Sequence, residues 1–194
     1  IVFVGRIVPN KKFEDVIACF AAYKEKYDPT ARLFLVGNYQ ETDTYYQYLQ
    51  EYIKKCGVKD VIFPGHIAFN AILAYYKIAD LFLCMSEHEG FCVPLVEAMF
   101  FETPIVAYAS TAIPGTLGGS GVLVETKEPE MVAEAMNHVM QDAEYRSEIL
   151  KKQNERLKDF AYESIRGQIL DEIEKVQQSK IDKVRNQNGE EKTD

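Results

Sequence analysis

The 194-residue sequence contains no tryptophan, only three histidines and only four cysteines. No two cysteines form a C-x-x-C pair and no histidine cluster accompanies them, so the sequence predicts no metal site. This cysteine usage fits a reducing, cytoplasmic setting. Asp and Glu (30) outnumber Lys and Arg (22), and the net charge of −8 argues against nucleic acid as the main partner. No apolar run reaches the roughly 18–20 residues that cross a bilayer.

The composition is that of a globular protein, with 47% hydrophobic and 27% charged residues. Short apolar runs alternate with amphipathic segments, a pattern typical of an α/β fold with a doubly wound parallel sheet. Strands are predicted at Ile1–Ile7, Arg32–Val36, Val61–Phe63, Asp80–Met85, Pro104–Tyr108 and Gly121–Val124. Helices are predicted at Phe13–Tyr27, Asp43–Cys56 and Asn70–Ala79. The first helix should bury Val16, Phe20 and Tyr23, which share one face.

The chain after the sixth strand has helical periodicity. Three more helices are predicted at Pro129–Gln141, Ala143–Phe160 and Tyr162–Val176. One face of the last helix carries an apolar stripe of Ile165, Ile169, Ile173 and Val176. We therefore expect one Rossmann-like domain over residues 1–176, with 161–176 as its terminal helix. Residues 177–194 lack apolar periodicity and are expected to form a disordered tail.

The most informative segment is EHEGFCVPLVEAM, from Glu87 to Met99. It lies between a strand-like run and a helix-forming run, so it predicts a helix N-terminus that offers free backbone N–H groups to an anion. Two acids lie eight positions apart, Glu89 in the turn, where a ligand can reach it, and Glu97 about one turn into the helix. Carboxylates accept hydrogen bonds from hydroxyls while amides hold a phosphate. A nucleotide-sugar satisfies both requirements.

The same segment carries a family resemblance. EGFCVPLVEAM resembles the E-x7-E signature of retaining glycosyltransferases of family 4, also called glycosyl transferases group 1, whose usual form is EGFGLPLLEAMA-G-PVVA. VGRIVPNKKFEDVIACF resembles the start of that family's donor-binding domain, and LFLVGN, VIFPGHI, YYKIADLFLCMS and TPIVAY follow in the expected order. The resemblance runs from Ile1 to about Val176 and implies the C-terminal half of a GT-B fold with additional C-terminal helices.

In such two-domain enzymes the terminal helix crosses back onto the N-terminal domain. The apolar stripe would then pack on a domain that this sequence does not contain, whereas the alternative is that it packs on its own domain. The sequence also opens abruptly inside a strand without an initiator Met, so we expect it to be a fragment of a longer protein.

Two basic residues follow the first strand. Arg6 and Lys11 lie five positions apart across a turn that contains Pro9, at the strand end where parallel sheets bind ligands. Such charges can stabilise a diphosphate leaving group. The resemblance implies that they hold the donor's pyrophosphate, and the alternative from the residues alone is a solvated basic turn.

The resemblance also assigns the two acids. Glu89 matches the residue that contacts hydroxyls of the donor sugar near the reacting centre, and Glu97 matches the residue that binds the ribose hydroxyls. Their alternatives are a surface acid and an acid that complements the helix dipole. Beside Gly90, the backbone N–H groups of three residues are the expected phosphate donors: Phe91, Cys92 and Val93.

Weaker predictions concern the ends of the second and third strands. Gly37 would allow close backbone approach, and Gly65 and Ile67 resemble the segment whose backbone meets the nucleotide base.

The chain departs from the family pattern in several places. Lys12 and Cys92 stand where the family has glycine, Glu102 ends a segment that replaces an A-C-G turn, and Ser110–Ala112 replace further glycines. Gly115 stands where the family has Glu, a change that could alter sugar preference.

The resemblance implies transfer of a sugar from a UDP-, GDP- or ADP-sugar to an acceptor hydroxyl, with retention of configuration and without a cofactor or metal. The acceptor, a sugar, glycan or lipid-linked molecule, would bind through the missing domain, so the fragment alone should transfer little. Glycan biosynthesis in the cytoplasm, with or without peripheral contact at the inner membrane face, fits this role. The rival interpretations are a non-catalytic nucleotide-binding or scaffold module and half of a nucleotide-sugar epimerase.

Overall fold

The computed structural model describes the backbone of residues 1–190 and the side chains of residues 1–180. The chain divides into two compact units, Ile1–Arg156 and a second that begins at Leu157.

The first unit is built on a six-stranded parallel sheet with the order β3-β2-β1-β4-β5-β6. The strands are β1 (Val2–Val4), β2 (Leu33–Val36), β3 (Val61–Ile62), β4 (Phe82–Cys84), β5 (Ile105–Tyr108) and β6 (Val122–Val124). Val2 of β1 pairs with Phe34 of β2 on one side and with Phe82 of β4 on the other. This is the doubly wound order of Rossmann-like folds, so the predicted fold class is confirmed. Each strand is shorter than predicted.

Helices connect the strands. They are α1 (Phe13–Lys26), α2 (Thr44–Cys56), α3 (Phe69–Ile78), α4 (Val93–Phe100), α5 (Ile113–Leu117), α6 (Pro129–Gln141), α7 (Ala143–Leu157) and α8 (Tyr162–Glu190). Val16, Phe20 and Tyr23 of α1 are buried, as predicted. Helix α6 has the predicted bounds. Pro129 is at its start, where the lack of an N–H group on proline removes no hydrogen bond within the helix.

Helix α5 was not predicted, because its five residues include Pro114 and Gly115 and carry no helical periodicity. Contacts from elsewhere in the chain hold it. Arg156 of α7 donates hydrogen bonds to the carbonyls of Thr116 and Gly115 at 3.0 and 2.7 Å, which places a positive charge on the helix C-terminus. The helix ends at Gly118, whose φ of +56° suits a C-terminal cap.

Helix α8 belongs to the second unit and continues to Glu190, beyond the predicted end at Val176. Its predicted apolar stripe is exposed, with side chains that are 42–55% accessible at Ile165, Ile169, Ile173 and Val176. Disorder beyond Val176 stays a prediction, and residues 191–194 lie outside the described chain. Within the described residues, no helix combines the length and the apolar character that a membrane crossing requires.

Left-handed backbone occurs at positions where the resembling family has glycine. Lys12, Cys92, Glu102 and Thr111 have φ angles of 52°, 66°, 54° and 42°. A side chain in this region brings Cβ close to a backbone carbonyl at a cost of roughly 1–2 kcal/mol per residue. At these four positions the chain therefore has a side chain where the family has glycine, but its backbone keeps the conformation that glycine favours.

Glu102→Gly should raise the free energy of unfolding by about 0.5 kcal/mol. The substitution relieves the left-handed backbone, and the greater freedom of glycine in the unfolded chain offsets part of that gain. Glu102 is exposed, and among the described residues its side chain accepts a single 3.4 Å hydrogen bond, from Asn154. Glu102→Ala is the matched control, because alanine loses the same contact but keeps Cβ. Urea denaturation that gives equal stability changes for the two variants would contradict this account.

Candidate functional site

The candidate site lies where the carboxyl ends of β1 and β4 meet. The strand order reverses between these two strands, and the crevice at such a reversal is the usual ligand site of open α/β sheets. Arg6 and Lys11 follow β1, and Glu89 follows β4. Parallel pairing of the two strands therefore brings both predicted groups to one edge of the sheet.

Lys11 and Glu89 form an ion pair. The Lys11 Nζ lies 2.6 Å from both Glu89 carboxylate oxygens, and the two side chains are only 18% and 6% exposed. The alternative that Glu89 is an ordinary surface acid is therefore wrong, and contact of Glu89 with a ligand stays a prediction. A buried carboxylate needs a partner, and Lys11 supplies it.

Arg6 is also at this edge, but its side chain is exposed. Within the described part of the chain it makes no ion pair with an acid, so its charge faces solvent. Of the two predicted basic residues, Lys11 is therefore paired with Glu89, whereas the Arg6 side chain remains available to a ligand.

The N-terminus of α4 adds unpaired amides to the site. The backbone N–H groups of Cys92 and Val93 donate to no protein oxygen among the described residues. Pro94 has no N–H to offer, which concentrates the free donors at these two residues. Phe91 is fixed through its carbonyl, which accepts a 2.5 Å hydrogen bond from Thr116 Oγ1. Gly90 is exposed, with open space where a Cβ would project.

Glu97 lies on α4 and is held by a residue that the sequence did not indicate. The Tyr76 hydroxyl donates a 2.7 Å hydrogen bond to Glu97 Oε2. Burial of Tyr76 and the nearby Glu97 charge raise the pKa of the phenol far above its usual range, so the hydroxyl stays protonated and keeps donating. The other carboxylate oxygen has no hydrogen bond within the described chain.

The loop after β5 supports Glu89. The Glu89 backbone N–H donates to Thr111 Oγ1 at 2.9 Å. Thr111 is β-branched and has a φ of 42°, an uncommon conformation for such a residue. On the other side, Asn10 Nδ2 donates to the His88 carbonyl at 3.1 Å, and the Glu87 N–H donates to the Asn10 carbonyl at 3.0 Å.

A surface network surrounds these loops. Lys127 bridges Asp15 and Glu87 at 2.7 and 2.9 Å, and Lys12 lies 3.3 Å from Glu87. The hydrogen bond from Lys127 lowers the pKa of the Glu87 carboxyl, so this acid stays ionised. Lys127 was not predicted, because it lies in no sequence motif and comes close to Asp15 and Glu87 only when the chain folds.

Two cysteines meet beside Glu89. Cys84 and Cys92 are buried, as Cys19 is, but their thiols interact with each other, which the sequence did not predict. The hydrogen bond from Cys92 lowers the pKa of the Cys84 thiol, and the same bond, together with burial, raises that of Cys92.

The weaker site residues lie along the same edge. A Cβ at Gly37 would sit 1.8 Å from the Gly5 carbonyl oxygen, so packing against the neighbouring strand requires glycine there. Ile67 is half-buried, and Gly65 has a φ of +75° beside the Tyr39 ring. Tyr39 stacks on Tyr46 at 4.0 Å between ring centroids. Contact of Gly37 or Ile67 with a nucleotide stays a prediction.

Residues 1–157 match the model of the family "Glycosyl transferases group 1", and the chain belongs to this family. Mannosylfructose-phosphate synthase of Agrobacterium fabrum is 34% identical over 108 residues, which cover 53% of this chain and 24% of that protein. The chain spans less than half the length of the curated relatives that it matches.

Solved structures of the same architecture include two informative cases. The C-terminal domain of a glycosyl transferase group 1 family protein, LpcC from Francisella tularensis, has a TM-score of 0.69 at 27% identity, covering 81% of this chain and 82% of that domain. Anabaena HepE, solved with UDP and glucose, has a TM-score of 0.76 at 24% identity, covering 90% of this chain and 47% of HepE. This chain therefore has the architecture of a GT-B glycosyltransferase domain.

Lys11→Met should lower the free energy of unfolding by about 2–3 kcal/mol at neutral pH. The variant leaves a buried carboxylate unpaired, a change that costs roughly 3–5 kcal/mol when both partners are fully buried. The partial exposure of Lys11 reduces this cost.

The control is Lys11→Met in a Glu89→Gln background, where no charge is left unpaired. Urea denaturation should show a much smaller loss there. An equal loss in both backgrounds would mean that packing of the Lys11 stem, and not the ion pair, sets the stability.

Proposed function

We propose that this chain is the donor-binding domain of a retaining glycosyltransferase of family 4. In this proposal it binds a nucleotide-diphosphate sugar at the carboxyl edge of the sheet, and the acceptor binds mainly through a part of the protein outside this sequence. The observation that carries the proposal is the meeting of Lys11, Glu89 and the free amides of α4 where the strand order reverses.

The diphosphate would bind to positive charge and backbone donors. Arg6 forms no ion pair with any residue whose side chain is described, and Cys92 and Val93 offer N–H groups at the positive end of a helix dipole. Lys11 completes the set when it shares its ammonium protons between Glu89 and a phosphate oxygen. As the bond to the sugar breaks, these groups stabilise the charge that grows on the leaving diphosphate. Because they supply the positive field, the proposal requires no metal or other cofactor.

The sugar and ribose would bind to the two acids. Lys11 fixes the orientation of the Glu89 carboxylate, which suits a group that accepts hydrogen bonds from sugar hydroxyls. Glu97 has one oxygen on Tyr76 and one unbonded, so it can accept from ribose hydroxyls without reorienting. The base would meet the backbone near Gly65 and Ile67.

Two rival functions predict different results. A non-catalytic module is favoured by the departures at Gly115 and Cys92. As a scaffold it would bind no nucleotide, and as a nucleotide-binding module it would bind nucleotide without sugar transfer by the full-length protein. Half of a nucleotide-sugar epimerase would convert the donor without an acceptor.

Calorimetric titration with UDP, GDP and ADP tests the donor site. HepE was solved with UDP, so UDP is the first nucleotide to test. We expect one of the three to bind equally well with and without EDTA, and Arg6→Ala to weaken it by about 1–3 kcal/mol, the scale of a charge-assisted hydrogen bond.

Arg32→Ala is the matched control for Arg6→Ala. Arg32 is also exposed but precedes β2 and so lies at the opposite edge of the sheet. The control removes the same charge and should leave affinity unchanged. Absence of binding by all three nucleotides, or equal effects of the two variants, would contradict the proposed site.

Tyr76→Phe should weaken nucleotide binding several-fold while the fold is retained. The ring still packs between Phe82 and Phe101, but Glu97 loses the hydroxyl that orients it. Tyr75→Phe is the control, because the Tyr75 hydroxyl makes no hydrogen bond within the described chain. Unchanged affinity in Tyr76→Phe would remove Glu97 from the ribose site.

A further inference from the structure

Lys127 joins the loop that carries Glu89 to other parts of the fold. Its ammonium lies 2.7 Å from the Asp15 carboxylate on α1 and 2.9 Å from the Glu87 carboxylate. The same ammonium lies over the ring of Tyr108, 4.8 Å from its centroid, and Tyr108 ends β5. Lys127 itself follows β6, so one side chain connects this segment with α1, β5 and the loop after β4.

We propose that Lys127 is a positioning residue for the donor site and that it acts through Glu87. The inference rests on the function proposed above, because its consequence for recognition requires that Glu89 meet the donor sugar. Glu87 lies two positions before Glu89 in the same loop. A contact that fixes Glu87 therefore also limits where the Glu89 backbone and carboxylate can lie.

Glu87 lies where three segments of the chain meet. Its backbone N–H donates to the Asn10 carbonyl at 3.0 Å, and its carboxylate lies 3.3 Å from the Lys12 ammonium. Both of these partners belong to the segment between β1 and α1, whereas Lys127 comes from the segment after β6. A functional group is placed accurately when supporting contacts of this kind fix the residues beside it.

Loss of Lys127 would also leave like charges facing each other. The network contains three acids and two bases, which are Glu14, Asp15, Glu87, Lys12 and Lys127. Asp15 and Glu87 share the Lys127 ammonium at 2.7 and 2.9 Å, so without it their carboxylates would repel each other across a short gap. This repulsion would push the loop after β4 away from α1.

The contacts of Lys127 matter more for this loop than for the stability of the whole fold. The Asp15 and Glu87 side chains are 27% and 50% exposed, and ion pairs with such exposed partners stabilise a folded protein weakly. A surface loop, however, opens locally at a small free-energy cost, so even a weak contact changes how often it is open. Local opening can therefore depend on Lys127 when global unfolding does not.

Residue-resolved hydrogen exchange of the 194-residue chain tests the inference without any nucleotide. In Lys127→Met and in Glu87→Gln, we expect the backbone N–H groups at positions 87 and 89 to exchange several-fold faster than in the wild type, relative to their intrinsic rates. Exchange in the buried strands β1 and β4 should stay unchanged, because the opening is local. Lys127→Arg keeps the positive charge and should restore the wild-type rate.

Lys24→Met is the matched control. Lys24 also pairs with an acid, Asp60, at 2.7 Å and also lies over an aromatic ring, that of Phe20. Asp60 precedes β3, so this ion pair lies at the opposite edge of the sheet, and its loss should leave exchange in the loop unchanged. Loop exchange at the wild-type rate in Lys127→Met, or equally fast exchange in Lys24→Met, would overturn the inference.

Nucleotide affinity separates positioning from long-range attraction. Lys127→Met makes the site more negative and Glu87→Gln makes it less negative, so their effects on anion binding through net charge alone are opposite. Positioning predicts that both variants weaken binding several-fold, because the free amides of Cys92 and Val93 follow the same loop. The probe is whichever of UDP, GDP and ADP binds in the titration above.

Affinities that change in opposite directions in the two variants would overturn the inference. If the wild type binds none of the three nucleotides, the function proposed above fails, and hydrogen exchange still decides whether Lys127 positions the loop.

Discussion

The pairing of β1 with β4 is the constraint on which the site depends. The Val2 N–H donates to the Leu81 carbonyl at 2.9 Å, and Val2 lies in register with Phe82. Through this pairing Lys11 and Glu89 become neighbours although 78 positions separate them. Burial of Glu89 then requires Lys11, because a lone carboxylate at that depth would be too costly. Sheet geometry and electrostatics therefore support each other at this edge.

Elements whose signals are local could be predicted from the sequence. The centres of all six strands follow from short apolar runs, and the bounds of α6 follow from Pro129 and the periodicity after it. Helix α5 could not be predicted, because Arg156 and Thr116 stabilise it through contacts with distant residues. The end of α8 was missed because nothing in its sequence marks a stop at Val176.

The same distinction holds for the site. Strand-end placement brought Lys11, Glu89 and the amides after Gly90 to one edge, and the family resemblance was needed to choose them over a basic turn and a surface acid. Strand-end placement gave no information about partners that lie on other elements of the fold. The hydrogen bond from Tyr76 to Glu97 and the meeting of Cys84 with Cys92 each join separate elements, and no spacing in the sequence encodes them.

The left-handed residues around the site also affect the thermodynamics of recognition. Glycines in these loops would sample many backbone conformations, and a ligand would have to select one of them at an entropic cost. Thr111 and Cys92 restrict that sampling, and the Thr111 hydroxyl also holds the Glu89 amide. The loops are thus ordered during folding, so little conformational entropy is left for a ligand to remove. A donor bound here as proposed would meet loops whose shape is already set by folding.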